Sequence, residues 1–157
     1  MHYRGRYSFS LFFCRCMVSI LAGLVGGVIA TIVMTMGMMR MGDGGPPPTA
    51  GLVAKTAGGE PAEYEMPGML LHMLYGVGAG VVFALGVPLV GLNFDSLVVA
   101  AGLGLVYGMV LMIVGMMFWM RMVLGMEADR DTMVMFGTVH ASYGIVLGAV
   151  LGSGIVA

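Results

Sequence analysis

The sequence predicts an all-α, four-span transmembrane bundle built from two parallel two-helix repeats, and three observations predict it. Only 10% of residues are charged, where a soluble domain carries about 25%. Hydrophobic residues make up 59% of the chain, and mean hydropathy is +0.99. Four apolar runs, at about residues 17–39, 67–91, 97–120 and 132–157, are each long enough to cross a hydrocarbon core of about 30 Å as a helix. Helices are required there because lipid offers no hydrogen-bond partners to an open backbone.

The elements follow in order. Residues 1–16, "MHYRGRYSFSLFFCRC", form a tail in which basic residues precede an apolar patch. The apolar run continues to Met39 without a cleavage pattern, so the tail does not read as a signal peptide. One alternative is an over-extended start, with Met17 as the first residue; with the tail present, its basic residues before the first span favour cytoplasmic termini. Cys14 and Cys16 are expected to be inert thiols, because a C-x-C pair is too close for an unstrained disulfide and supplies only half a zinc site. The first two-helix unit covers residues 17–91 and holds the long polar link 42–66, whose Gly-Gly-Pro-Pro-Pro stretch must be irregular. Within it Thr49 is expected to cap a short interfacial helix over 50–57. The second unit covers residues 92–157, with a short link around Asp95 and a polar one, "RMVLGMEADRD", before the last span.

The duplication rests on two alignments. "HMLYGVGAG" at 72–80 and "HASYGIVLG" at 140–148 share the pattern H-x-x-Y-G-x-x-x-G, 68 residues apart. "IVMTMGMM" at 32–39 aligns with "VLMIVGMM" at 110–117, an offset of 78 that also pairs Gly26 with Gly104. An even number of spans per unit makes the repeat parallel.

On a helix, positions i, i+3, i+4 and i+8 share a face. His72, Tyr75, Gly76 and Gly80 form one stripe, and His140, Tyr143, Gly144 and Gly148 another. Gly-x-x-x-Gly lets helix backbones approach closely, so Gly76, Gly80, Gly144 and Gly148 with Tyr75 and Tyr143 are read as packing residues. Gly23/Gly27 and Gly104/Gly108 supply matching notches on the first and third spans.

Histidine inside a membrane is costly and needs a partner. In the plainer reading each imidazole bonds a carbonyl or a hydroxyl across a helix seam and locks the packing, with Thr31, Thr35 and the opposite tyrosine available for this. In the sharper reading His72 and His140 are ligands, since neutral imidazole suits haem iron and copper in helical bundles. The 19 methionines favour the second reading. Apart from Met1 and Met17 all lie toward the long-link side of the membrane, and thioethers are soft ligands for Cu(I). The candidate metal residues are Met34, Met38, Met69, Met73, Met112 and Met116, which form i, i+4 pairs, as Met116 does again with Met120; the competing reading is adaptable packing.

No catalytic residues are predicted. The chain has no H-E-x-x-H, no G-x-S-x-G and no P-loop, and its carboxylates all lie in links. A net charge of −1 without a basic block excludes nucleic acid as a partner.

The stretches "LAGLVGGVIATIVMTMGMMRMG", "LHMLYGVGAGVVFAL" and "VHASYGIVLGAVLG" resemble the small four-helix membrane proteins of unknown function found in bacteria and halophilic archaea. The resemblance spans nearly all of residues 17–157. It implies an integral membrane location and no established activity.

The sequence thus points to a non-enzymatic, multi-pass protein of the cell membrane with cytoplasmic termini. Its expected role is that of an accessory or scaffolding subunit, without cofactor, packing against other membrane proteins or itself within the lipid bilayer. The alternative is a copper- or haem b-binding membrane protein using His72 and His140 with the clustered methionines.

Overall fold

The computed structural model describes residues 4–42, 45–125 and 127–155, with side chains from Cys16 onward. The readings placed on Cys14 and the basic residues of the tail lie outside the described side chains. Cys16 is a free thiol, half-buried.

The chain is all-α. Helix α1 covers Arg4–Met41, α2 Pro48–Ala57, α3 Glu65–Leu89, α4 Leu97–Val114 and α5 Arg130–Gly152. A 3-10 turn, Pro61–Tyr64, leads into α3, and α4 continues as a π-helix over Gly115–Leu124. Four segments are long and apolar enough to cross a membrane: Cys16–Met41, Pro61–Leu89, Leu97–Leu124 and Arg130–Gly152. They match the four expected spans, and the chain is a multi-pass membrane protein by that measure.

The helices run up and down, packed as two close antiparallel pairs, α1 with α3 and α4 with α5; α1 also packs against α5. Glycine sets both close pairs. A methyl placed on Gly80 would stand 2.5 Å from the Gly23 carbonyl oxygen, and one on Gly27 would stand 2.9 Å from Val77 Cα. In the second pair Gly104 meets the Gly144 carbonyl, and a methyl on Gly148 would lie 2.9 Å from Ala101 Cα. Side chains here would push the backbones apart, so van der Waals contact between main chains does the joining.

Gly26 faces Leu147 and Leu151 of α5, whereas Gly27 lies in the α1–α3 seam and Gly104 in the α4–α5 seam.

Helices α3 and α4 do not pack backbone to backbone. Side chains fill the space between them toward the short link. Phe83 packs against Phe94 with ring centroids 5.5 Å apart and against Tyr107 at 4.8 Å. The Tyr107 hydroxyl donates to the Ala79 carbonyl at 2.9 Å. The core continues through Ala30, Met34, Val139, Tyr143 and Leu147.

The link helix α2 begins differently from the expectation. Pro47 stands at the N-cap with no side-chain cap, and Pro48 at the first helical position presets φ and has no N–H to satisfy. The Thr49 hydroxyl is therefore released from capping. It donates to the Gly68 carbonyl at 2.7 Å, fastening α2 to the start of α3. Ala50 is fully buried against Gly68, whose added methyl would lie 2.6 Å from Ala50 Cα. True side-chain caps occur at Ser96, which accepts from the Val99 N–H at 3.2 Å, and at Asp129, which accepts from the Thr132 N–H at 2.8 Å.

Candidate functional site

The gap between α3 and α4 that the aromatic cluster fills on the short-link side remains open on the other. It forms a cavity of about 160 Å³. Helix α3 contributes His72, Tyr75, Gly76 and Ala79 to its wall; α5 contributes Phe136, His140 and Tyr143. Met34 and Met38 of α1 close one side, and Leu111, Gly115, Trp119 and Met120 of the third span the other. Pro48, Thr49 and Leu52 of α2 roof it. Among the described residues no carboxylate lines it.

The two histidines thus share one cavity, and neither makes the cross-helix bond that the plainer reading required. Thr31 donates to the Gly27 carbonyl at 2.6 Å and Thr35 to the Thr31 carbonyl at 2.8 Å. Each hydroxyl is consumed four residues back on its own helix, a common competitor for serine and threonine in helices. Tyr143 donates to the Gly76 carbonyl at 2.6 Å instead.

The imidazoles differ. His140 Nδ1 lies 2.8 Å from the Phe136 carbonyl oxygen, and the ring stacks on Phe136 with centroids 5.9 Å apart. A carbonyl only accepts, so Nδ1 carries the proton. In the neutral ring Nε2 then presents its lone pair. Fixing one ring nitrogen on a backbone carbonyl is how metal-binding histidines are commonly oriented. His72 Nε2 is buried and has no hydrogen-bond partner. A buried polar atom left so costs about 1–3 kcal/mol, and such atoms in native proteins require an explanation, a bound ion among them.

Of the six candidate methionines, Met34 and Met38 line the cavity with the histidines. Met69, Met73, Met112 and Met116 do not. Met112 is turned toward α5, its methyl 3.7 Å from the position a Cβ on Gly137 would take. Met120, which helical spacing pairs with Met116 but which is not one of the six candidates, lines the cavity and is 6% exposed. Among the described residues no three His, Cys, Asp or Glu gather as a metal-binding group. Tyr75 lines the cavity and is 41% exposed, so the cavity reaches the outer surface of the bundle at that ring. Gly76, Gly80, Gly144 and Gly148 are all buried in the helix seams.

No protein-family model, curated protein or solved structure matches the chain.

Proposed function

We propose that this multi-pass membrane protein binds a soft metal ion, Cu(I), in the cavity between α3 and α4, through His72 and His140 with Met34 and Met38. The observation that carries the reading is that His72, whose buried Nε2 has no hydrogen-bond partner among the described residues, lines the same cavity as His140. Three further features support it. The His140 Nδ1–H bond leaves the other nitrogen available for a ligand. Thioethers and imidazoles together suit Cu(I). The lack of a lining carboxylate suits an ion of low charge, since burying charge without compensation is expensive. Haem b is the weaker partner on size: drug-sized ligands occupy about 300–1,000 Å³, and this cavity is about 160 Å³.

The test is elemental analysis of the protein purified in mild detergent, followed by Cu(I) titration against a chromophoric chelator. Wild type is expected to hold one copper ion per chain. His72→Ala and His140→Ala are expected to lose it while keeping their helical circular dichroism. A wild type that takes up no Cu(I), with histidine variants that lose only stability, would refute the reading.

A packing role beside other membrane proteins is the second reading. It is favoured by Gly78, Gly86 and Gly102, where an added Cβ would meet nothing within 4 Å. These glycines leave flat places on the outer helix faces, of the kind at which another span approaches closely. Copurification of a stoichiometric partner, lost in Gly102→Leu, would support it.

A further inference from the structure

We infer that Met120 is a third thioether available to an ion in this cavity, beside Met34 and Met38, brought there by the π-helical winding of Gly115–Leu124, and that it strengthens the preference for Cu(I). The inference rests on the metal reading above.

The argument is one of angles. An α-helix advances about 100° per residue; a π-helix, closing i to i+5, advances about 80°. Leu111 and Gly115 line the cavity. Counted from Gly115 along an α-helix, Met120 would be rotated by about 140°, toward the outer face. Counted along a π-helix it is rotated by about 40°. The wider winding therefore swings the thioether by about a quarter turn, into the cavity wall where Met120 is found, 6% exposed. Its neighbour Met117 is 63% exposed.

π-Helices are rare and occur mostly as single turns, so one of 10 residues calls for neighbours that hold it. This one has three supports. Gly125 takes φ +68°, and its N–H donates to the Met120 carbonyl, the five-residue spacing of the π ladder. The Lys55 ammonium of α2 donates to the Val123 carbonyl at the segment's open end. The Leu124 methyls pack toward Gly51, 3.6 Å from where its Cβ would stand. The helix that roofs the cavity thus also holds the winding that places Met120. A soft thioether beside two imidazoles raises affinity for Cu(I) and leaves harder ions, such as Zn(II), little changed.

The test compares wild type, Met120→Leu and Met117→Leu in detergent, by chelator competition for Cu(I) and for Zn(II) and by copper X-ray absorption. Leucine keeps the volume and removes the sulfur. Met120→Leu is expected to weaken Cu(I) by at least about tenfold, to leave Zn(II) unchanged, and to remove one sulfur from the copper shell. Met117→Leu is expected to match wild type. The copper spectrum of wild type needs no variant and is expected to contain thioether sulfur; a shell of nitrogen alone overturns the inference. So does a Met120→Leu protein with wild-type affinity, even where His72→Ala abolishes binding, in which case the histidine site survives and the role of Met120 does not. A wild type that binds no Cu(I) removes both.

Discussion

Tyr143 donates its hydroxyl proton to the backbone carbonyl of Gly76 across 2.6 Å, joining α5 to α3. The donor lies one turn beyond His140 and the acceptor one turn beyond His72, so this bond fixes the relative position of the two histidine-bearing helices. Tyr143 is 2% exposed, and a hydroxyl buried between spans without a partner would be costly. Tyr143→Phe is expected to destabilise the bundle by about 0.6–1.7 kcal/mol, the scale of hydrogen bonds between membrane helices. Reversible unfolding in mixed micelles measures this. A variant as stable as wild type would show that the bond positions nothing.

The seams give a prediction with an internal control. Gly80→Ala would place a methyl 2.5 Å from the Gly23 carbonyl oxygen, and that oxygen belongs to a helix backbone, which cannot yield locally. Overpacking of this kind costs about 1–3 kcal/mol. Gly78→Ala, two residues away, meets nothing within 4 Å. Gly80→Ala is therefore expected to lower the unfolding midpoint and Gly78→Ala to leave it or raise it, since alanine is the better helix former. Equal behaviour of the two would remove the close approach of α1 and α3.

The spans and their seams were legible because both follow from regular spacing. Runs of apolar residues mark the spans, and Gly76, Gly80, Gly144 and Gly148 recur at four-residue intervals. What departs from regular spacing was hidden. By α-helical spacing Met120 shares a face with Met116, yet Met116 does not line the cavity and Met120, on the π-wound segment, does. Thr49 reads as a cap from its position, but Pro47 and Pro48 begin α2 without one and free the hydroxyl for Gly68. The cavity itself has no signature in the sequence. It arises because α1 packs tightly on α3 and α5 while α3 and α4 stand apart, and pairing of that kind depends on where the glycines of four helices meet.

The cap of α5 makes stability depend on pH at an exposed site. The Thr132 side chain, and then its backbone N–H, hold the Asp129 carboxyl below its ordinary range. A carboxyl lowered in the folded state contributes stability that is present above its unfolded value, about 3.9, and is lost as pH falls through the folded value. Hydrogen exchange at the Thr132 amide is therefore expected to quicken below about pH 4. Asp129→Asn keeps a capping oxygen without the proton, so its exchange, once corrected for intrinsic rates, should show no such step. A step that persists in Asp129→Asn assigns the titration to another group.

The two histidines are expected to differ in their ring protons, and this separates an oriented ligand from a ring that merely fills space. With Nδ1 bonded to the Phe136 carbonyl, His140 is held as the Nδ1–H tautomer, whereas His72 Nε2 has no partner to fix its ring. In nitrogen-15 spectra of histidine-labelled protein at neutral pH, His140 should show a protonated Nδ1 and an unprotonated Nε2. Silver(I), a diamagnetic stand-in for Cu(I), should then shift His140 Nε2 and leave Nδ1–H in place, since the second nitrogen keeps its backbone partner when the first takes a metal. His72 should go from two exchanging tautomers to one. Phe136 supplies the carbonyl from its main chain, so Phe136→Leu should preserve the His140 tautomer while removing the ring stack. A His140 found as the Nε2–H tautomer, or silver that shifts neither ring, would leave the histidines as packing groups only.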